Sequence, residues 1–161
     1  MSTIKDFRYS VHASQLPRKR VRLTATGRPP LEAATPPEFR GGTPGMWSPE
    51  DLLVASVVSC YSLTLDAIAM QRDISIRRLA VEGVGHVTRR AEGRIGFVVI
   101  ELRVELTVES GLEEAAKRAA QAAKRACLLG HALEIPIELE LRVQSDETPH
   151  VAPLAHPGSR S

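Results

Sequence analysis

Cys60 and Cys127 are the two cysteines of the chain and the residues with the most chemistry open to them. The thiolate, not the thiol, is the nucleophile and metal ligand. Either residue also has an ordinary structural role, because free cysteine is among the most buried residue types. Arg40 stands in a loop, residues 36–45, that holds three prolines and three glycines and leads into the segment carrying Cys60. A guanidinium there can steady an anion and hydrogen-bond oxygen atoms, although most loop arginines only face water. Glu50 precedes Cys60 by ten residues. It can orient an arginine, or simply complement the start of a helix. Cys127 and His131 have the i, i+4 spacing of two metal ligands on one helical face. Only His12, His86, His150 and His156 remain as further histidine ligands, so a metal site is a weak reading. Arg18, Arg20 and Arg22 form a basic run that could suggest RNA, but no aromatic platform accompanies it.

The elements that must position these residues can be read from pattern. Residues 7–13 and 21–26 read as short strands, and residues 31–34 as a third. After the Pro/Gly loop, Ser48 is an N-cap, Pro49 takes the first helical position and Asp51 completes a capping box. Trp47 and Leu52 hold the two positions of a hydrophobic staple. This helix runs to about Gln71 and is apolar on nearly every face, which predicts burial all round. Residues 79–87 and 97–108 read as two further strands, the second alternating between aliphatic and polar residues. A second capping box at Ser110–Glu113 opens an Ala-rich helix that carries Cys127 and ends or bends near Gly130. Residues 135–143 give a last strand, and residues 145–161 read as a disordered tail. The expected organisation is one α+β domain over residues 1–144, built of antiparallel hairpins and two packed helices.

Composition narrows the field. With 161 residues the chain suits one domain. Hydrophobic residues are 43%, charged residues 25% and aromatics only 4%, so aliphatic side chains must fill the core. A net charge of +2, from 21 basic and 19 acidic groups, argues for neither nucleic acid nor an anionic membrane as partner. The opening residues lack a signal-peptide pattern, and the apolar run at residues 52–58 is too short to span a bilayer. A cytoplasmic location is therefore expected, where two cysteines act as reactive or packed thiols more often than as a structural disulfide.

Taken together, residues 40–62 (RGGTPGMWSPEDLLVASVVSCYS) resemble the OsmC/Ohr superfamily. In that family an Asn-Pro-Glu-like tripeptide opens the central helix. The peroxidatic cysteine follows ten positions after the glutamate, with an aromatic directly behind it. Ser48-Pro49-Glu50, Cys60 and Tyr61 match each part. Arg40 has the spacing of the OsmC branch, whereas the Ohr branch would draw its arginine from Arg18, Arg20 or Arg22. The family's second cysteine opens a Cys-Pro-x-Ser segment; Cys127 holds that place, and Leu128-Leu129-Gly130 departs from the rest.

The resemblance implies an OsmC-like fold, an intertwined homodimer whose long buried central helix carries Cys60, and a peroxidase that reduces alkyl or fatty-acid hydroperoxides in oxidative stress. Cys60 would be oxidised to a sulfenic acid and resolved by Cys127. Arg40 would stabilise the thiolate and Glu50 would hold Arg40. Phe39, Met46, Trp47 and Tyr61 would give the substrate an apolar site. No bound cofactor is implied; an external dithiol, a dihydrolipoyl group on a partner protein, would be the reductant. The alternative is an orphan member of the fold that binds ligand without catalysis. Helix geometry adds an independent expectation. Ten residues of straight helix put the Cα atoms of Glu50 and Cys60 about 15 Å apart and pointing roughly 80° apart. Glu50 would therefore serve the Cys60 of a second subunit.

Overall fold

A computed structural model describes residues 6–146. The order is β1 (His12–Leu16), β2 (Arg20–Thr24), β3 (Leu31–Ala34), α1 (Pro49–Gln71), β4 (Ile76–Arg89), β5 (Ile95–Glu109), α2 (Glu113–Ala126), α3 (Leu128–Ala132) and β6 (Ile137–Asp146). Two three-stranded sheets result, β1-β2-β3 and β4-β5-β6. The α+β class holds. The expected all-antiparallel pairing does not, because β6 runs parallel to β5, with Ile137 opposite Ile100 and Leu141 opposite Val104. Alternation in a sequence reports which face is buried and carries no sign of strand direction.

The core lies between the second sheet and the helices. Ile100, Leu102, Val104, Leu106 and Val108 of β5 are all buried. The intervening residues are wetter, and Arg103 there faces Glu82, Glu101 and Glu140 at 3.4, 3.2 and 3.7 Å. On the buried side α1 lies against β4. This close approach requires Gly83 and Gly85, whose added Cβ atoms would come within 2.4 Å of Val58 and 2.5 Å of Phe97. Ala116, Ala119, Ala120 and Ala123 give α2 a flat buried face of small residues.

Several boundaries differ from expectation for identifiable reasons. The first strand starts only at His12; Phe7, Tyr9 and Val11 lie outside it and are exposed. The predicted capping box of α2 is not formed. Gly111 takes a φ of 90°, Leu112 becomes the N-cap without a side-chain bond, and the Glu113 carboxylate instead accepts from the Gly111 N–H. Cys127 is not within an Ala-rich helix but at an extended break, φ −65° and ψ 111°, between α2 and α3. Residues 145 and 146 extend β6, so the tail assigned to 145–161 begins in a strand, and its remainder lies outside the described residues.

The central helix is not buried all round within one chain. Val57, Tyr61, Leu65 and Ala69 form one buried stripe, while Leu63 and Met70 are 70% and 73% exposed. With 23 residues and a mean hydropathy of 1.8 over an 18-residue stretch, the helix is long and apolar enough to cross a membrane by length and composition alone, which the seven-residue run did not suggest. Its buried stripe is committed to the core of this domain.

The glycine contact gives a direct test. Gly83→Val should lower stability by about 1–3 kcal/mol through overpacking against Val58. Urea unfolding would show it as a lower midpoint; an unchanged midpoint would mean that α1 does not rest on β4 as described.

Candidate functional site

Local chemistry sets the entry of α1. Ser48 Oγ accepts from the Asp51 N–H at 3.0 Å, and the Asp51 carboxylate accepts from the Ser48 N–H at 2.9 Å. This reciprocal box fixes the first helical turn, and Glu50 stands within it. The helix then runs unbroken to Gln71, so nothing shortens the separation of Glu50 from Cys60. The chain thus presents two groups of candidate residues, one at each end of that separation.

Cys60 sits on the shoulder of α1 beside the fully buried Tyr61. Its sulfur faces the α2–α3 break. There Cys127 and the backbone of Leu129 and Leu128 lie close enough to act on its charge. The Thr64 hydroxyl is also within reach, and donates as well to the Cys60 carbonyl at 2.7 Å. Burial pushes the Cys60 thiol up, but the Leu129 N–H, the Cys127 thiol, the Leu128 N–H and the Thr64 hydroxyl outweigh it and hold Cys60 below the ordinary thiol range. Cys127 is 4% exposed and shifts the opposite way. Burial raises it, the Gly130 N–H lowers it in part, and the neighbouring Cys60 sulfur raises it further. Sequence reasoning sought a cation for the Cys60 anion and missed these backbone donors; the break at Cys127 that aims them has no sequence signal apart from Gly130.

The signs of the linked stability follow. The depressed Cys60 pKa contributes stability above the unfolded thiol pKa, and this is lost as pH falls through the folded value. The raised Cys127 pKa contributes below the unfolded value, and this is lost as pH rises through the folded one.

The second group surrounds Glu50. One carboxylate oxygen, Oε2, is buried and has no hydrogen-bond partner. Glu50, Phe39 and Met46 line a cavity of about 700 Å³, and Glu50 and Trp47 line an adjoining one of about 430 Å³. Three of the four expected substrate-binding residues therefore gather at Glu50. Tyr61 does not: it is a core residue whose hydroxyl donates to the Ala120 carbonyl at 3.3 Å, and burial raises its phenol pKa.

The arginines divide clearly. Arg20 and Arg22 are engaged with Glu32 at 3.7 and 2.8 Å. Arg40 is exposed, and its guanidinium makes no hydrogen bond or ion pair among the described residues. It is not among the groups that act on the Cys60 sulfur. Arg18 sits with φ 61° in the turn before β2, a backbone region unusual for a bulky residue. The neighbouring Lys19 ammonium donates to the Arg40 carbonyl and ties this turn to the loop before α1. Among the described residues no group of three or more His, Cys, Asp or Glu could hold a metal ion. His131 Nε2 bonds the Arg125 carbonyl and His86 lies 3.0 Å from Glu101; His150 and His156 are outside the described residues.

Comparison with known proteins places these features in a family. The sequence matches the family described as OsmC-like protein over residues 42–142. An OsmC-like protein of unknown function from Vibrio cholerae has a similar structure, with a TM-score of 0.79 and 14% identity over 85% of this chain and 100% of that one. An organic hydroperoxide resistance protein from Elizabethkingia anophelis gives a TM-score of 0.65 and 20% identity over 91% and 100%. The organic hydroperoxide resistance protein OhrB of Bacillus subtilis gives 0.62 and 22% over 84% and 98%. At such identities the likeness is one of fold. No curated protein matches the sequence.

Alkylation with iodoacetamide across pH, read by peptide mass spectrometry, should modify Cys60 at lower pH than Cys127. Cys127→Ala should move the Cys60 profile upward, because a donor to its anion is lost. Coincident profiles for the two thiols would contradict the arrangement.

Proposed function

The chain belongs to the OsmC-like protein family, and on that footing we propose that it is a cytoplasmic thiol peroxidase reducing organic hydroperoxides. The arrangement that carries the reading is the packing of Cys60 against the core cluster that holds Cys127, where each thiol acts on the ionisation of the other. Membership of a family that includes hydroperoxide resistance proteins supports it. The Cys60 thiolate attacks the terminal peroxide oxygen. The O–O bond breaks, the sulfur becomes a sulfenic acid, and the alkoxide leaves with a proton as the alcohol. Cys127 then attacks the sulfenic sulfur, the S–S bond forms and water departs, which protects Cys60 from further oxidation. An external dithiol, of the dihydrolipoyl kind, restores both thiols and is itself oxidised to a disulfide.

The active unit in this reading is a homodimer with composite sites. Glu50 is about 15 Å from Cys60 along an unbroken helix, and its buried oxygen lacks a partner. The exposed Leu63 and Met70 leave one side of α1 uncovered, and four of the five β1 residues are exposed. A second copy would cover these surfaces and bring its own Glu50, with Phe39, Met46 and Trp47, to Cys60. Arg40 is the cation of choice, held by Glu50. Arg18 takes that role if Arg40 does not, since Arg20 and Arg22 are engaged with Glu32.

Turnover of tert-butyl hydroperoxide with dihydrolipoamide, compared with dithiothreitol, tests the activity. Cys60→Ser should abolish it, and Cys127→Ser should consume about one equivalent of peroxide and stall. Multi-turnover activity in Cys60→Ser would overturn the proposal.

Shared sites have a separate test. Cys60→Ser and Glu50→Ala chains, each inactive alone, should regain activity when refolded together. A heterodimer would place both lesions in one site and leave the other intact. Demonstrated heterodimers without recovered activity would exclude shared sites.

A further inference from the structure

Behind Cys127 lies a cavity of about 150 Å³ that the peroxide chemistry leaves unused. Its lining includes Cys127, Gly130 and Ile137, with Lys124, His131 and Tyr61 as the polar members. Cys60 does not line it. The cavity thus adjoins the otherwise buried Cys127 on a side that Cys60 does not share. Gly130 keeps it open at the sulfur: a Cβ built there would stand 3.7 Å from Cys127 Sγ and 3.4 Å from Ile137, ordinary contact distances that leave the fold intact.

We propose that this cavity is the entry for the reducing thiol, which attacks Cys127 Sγ of the Cys60–Cys127 disulfide, so that hydroperoxide and reductant reach the thiol pair from different sides. The step rests on the peroxidase reading for its place in the cycle. It balances as an exchange: the incoming thiolate forms an S–S bond to Cys127, the Cys127–Cys60 bond breaks, and Cys60 leaves as a thiolate. The second thiol of the reductant then displaces Cys127 and closes the reductant's own disulfide.

Three observations support the direction of attack. Thiol–disulfide exchange depends on access to the sulfur attacked and on the leaving thiol, the more acidic one leaving faster. Access to Cys127 is through the cavity, whereas Cys60 lies on the α1 surface assigned above to peroxide and the second copy. The leaving Cys60 anion is received by the Leu128 and Leu129 N–H groups, which hold its pKa low. The Lys124 ammonium at the cavity favours the thiolate form of the reductant. The cavity is small, about 150 Å³, which favours a slender aliphatic thiol arm over a bulky one.

The experiment uses the full chain oxidised with diamide, which forms the disulfide without peroxide. A short pulse of 2-mercaptoethanol is quenched with acid, free thiols are capped with a maleimide and peptides are mapped. The expected result is the mixed disulfide on Cys127 and the cap on Cys60. Gly130→Ala and Gly130→Val should slow reduction progressively, the larger by about tenfold, while single-turnover oxidation of Cys60 by hydroperoxide stays unchanged. A mixed disulfide on Cys60, unchanged reduction in both soluble Gly130 variants, or no disulfide with diamide would each overturn the proposal. Exchange through Cys127 in a protein that does not turn over hydroperoxide would uphold the entry route and overturn only the peroxidase reading.

Discussion

The rotational setting of α1 is the constraint on which the thiol pair depends. Tyr61 is fully buried, and its hydroxyl donates across to the Ala120 carbonyl of α2. That bond, in a chain with few aromatics, registers one helix against the other. A helix turns about 100° per residue, so fixing Tyr61 inward places Cys60 on the adjacent shoulder and nowhere else. The alanine face of α2 lets the helices approach closely enough for the contact to form. Gly83 and Gly85 do the same on the opposite side, where α1 meets β4. A helix packed between a sheet and a second helix by small residues has little freedom to roll, and the geometry at Cys60 inherits that rigidity.

Rigidity also separates the functions. The unbroken helix holds Glu50 at its capped start and Cys60 well along its length. A carboxylate with one buried, unpartnered oxygen is an unfavourable state for a finished site, since burying a charge without compensation is costly. The cavities at Phe39, Met46 and Trp47 lie beside that same oxygen. The apolar surface, the Glu50 oxygen without a partner and the Arg40 guanidinium, unpaired among the described residues, all occur near the start of α1 or in the loop before it. The thiols, by contrast, lie together within one chain, where the backbone of Leu128 and Leu129 acts on Cys60.

The sequence made some of this legible and hid the rest for physical reasons. Ser48, Pro49 and Asp51 announce the start of α1 because capping is a local interaction, decided within four residues. The alternation from Ile100 to Val108 announces a half-buried strand because the pleat has a period of two. Strand direction in β6 is set by tertiary packing, so no local pattern records it, and Gly130 is the one local sign of the break at Cys127. The apolar circumference of α1 was legible, but its meaning was not. Only Val57, Tyr61, Leu65 and Ala69 find the core, and composition cannot distinguish a side that packs from one left exposed. Tyr61 reads as an aromatic beside a cysteine, hence as a substrate contact, yet its place on the helix turns it into the core.

The departure at Leu128-Leu129-Gly130 from the family's Pro-x-Ser pattern now has a physical content. Proline at position 128 would carry no N–H. Leu128 has one, directed at the Cys60 sulfur beside that of Leu129. Serine at position 130 would place a side chain toward Cys127; glycine leaves that space as cavity. The first change adds a backbone N–H beside Cys60, and the second opens space beside the Cys127 sulfur. The two departures act on the two cysteines separately, and the thiols still lie together in the core cluster. What looked in the sequence like an eroded motif is, in the folded chain, a different way of supplying the same pair.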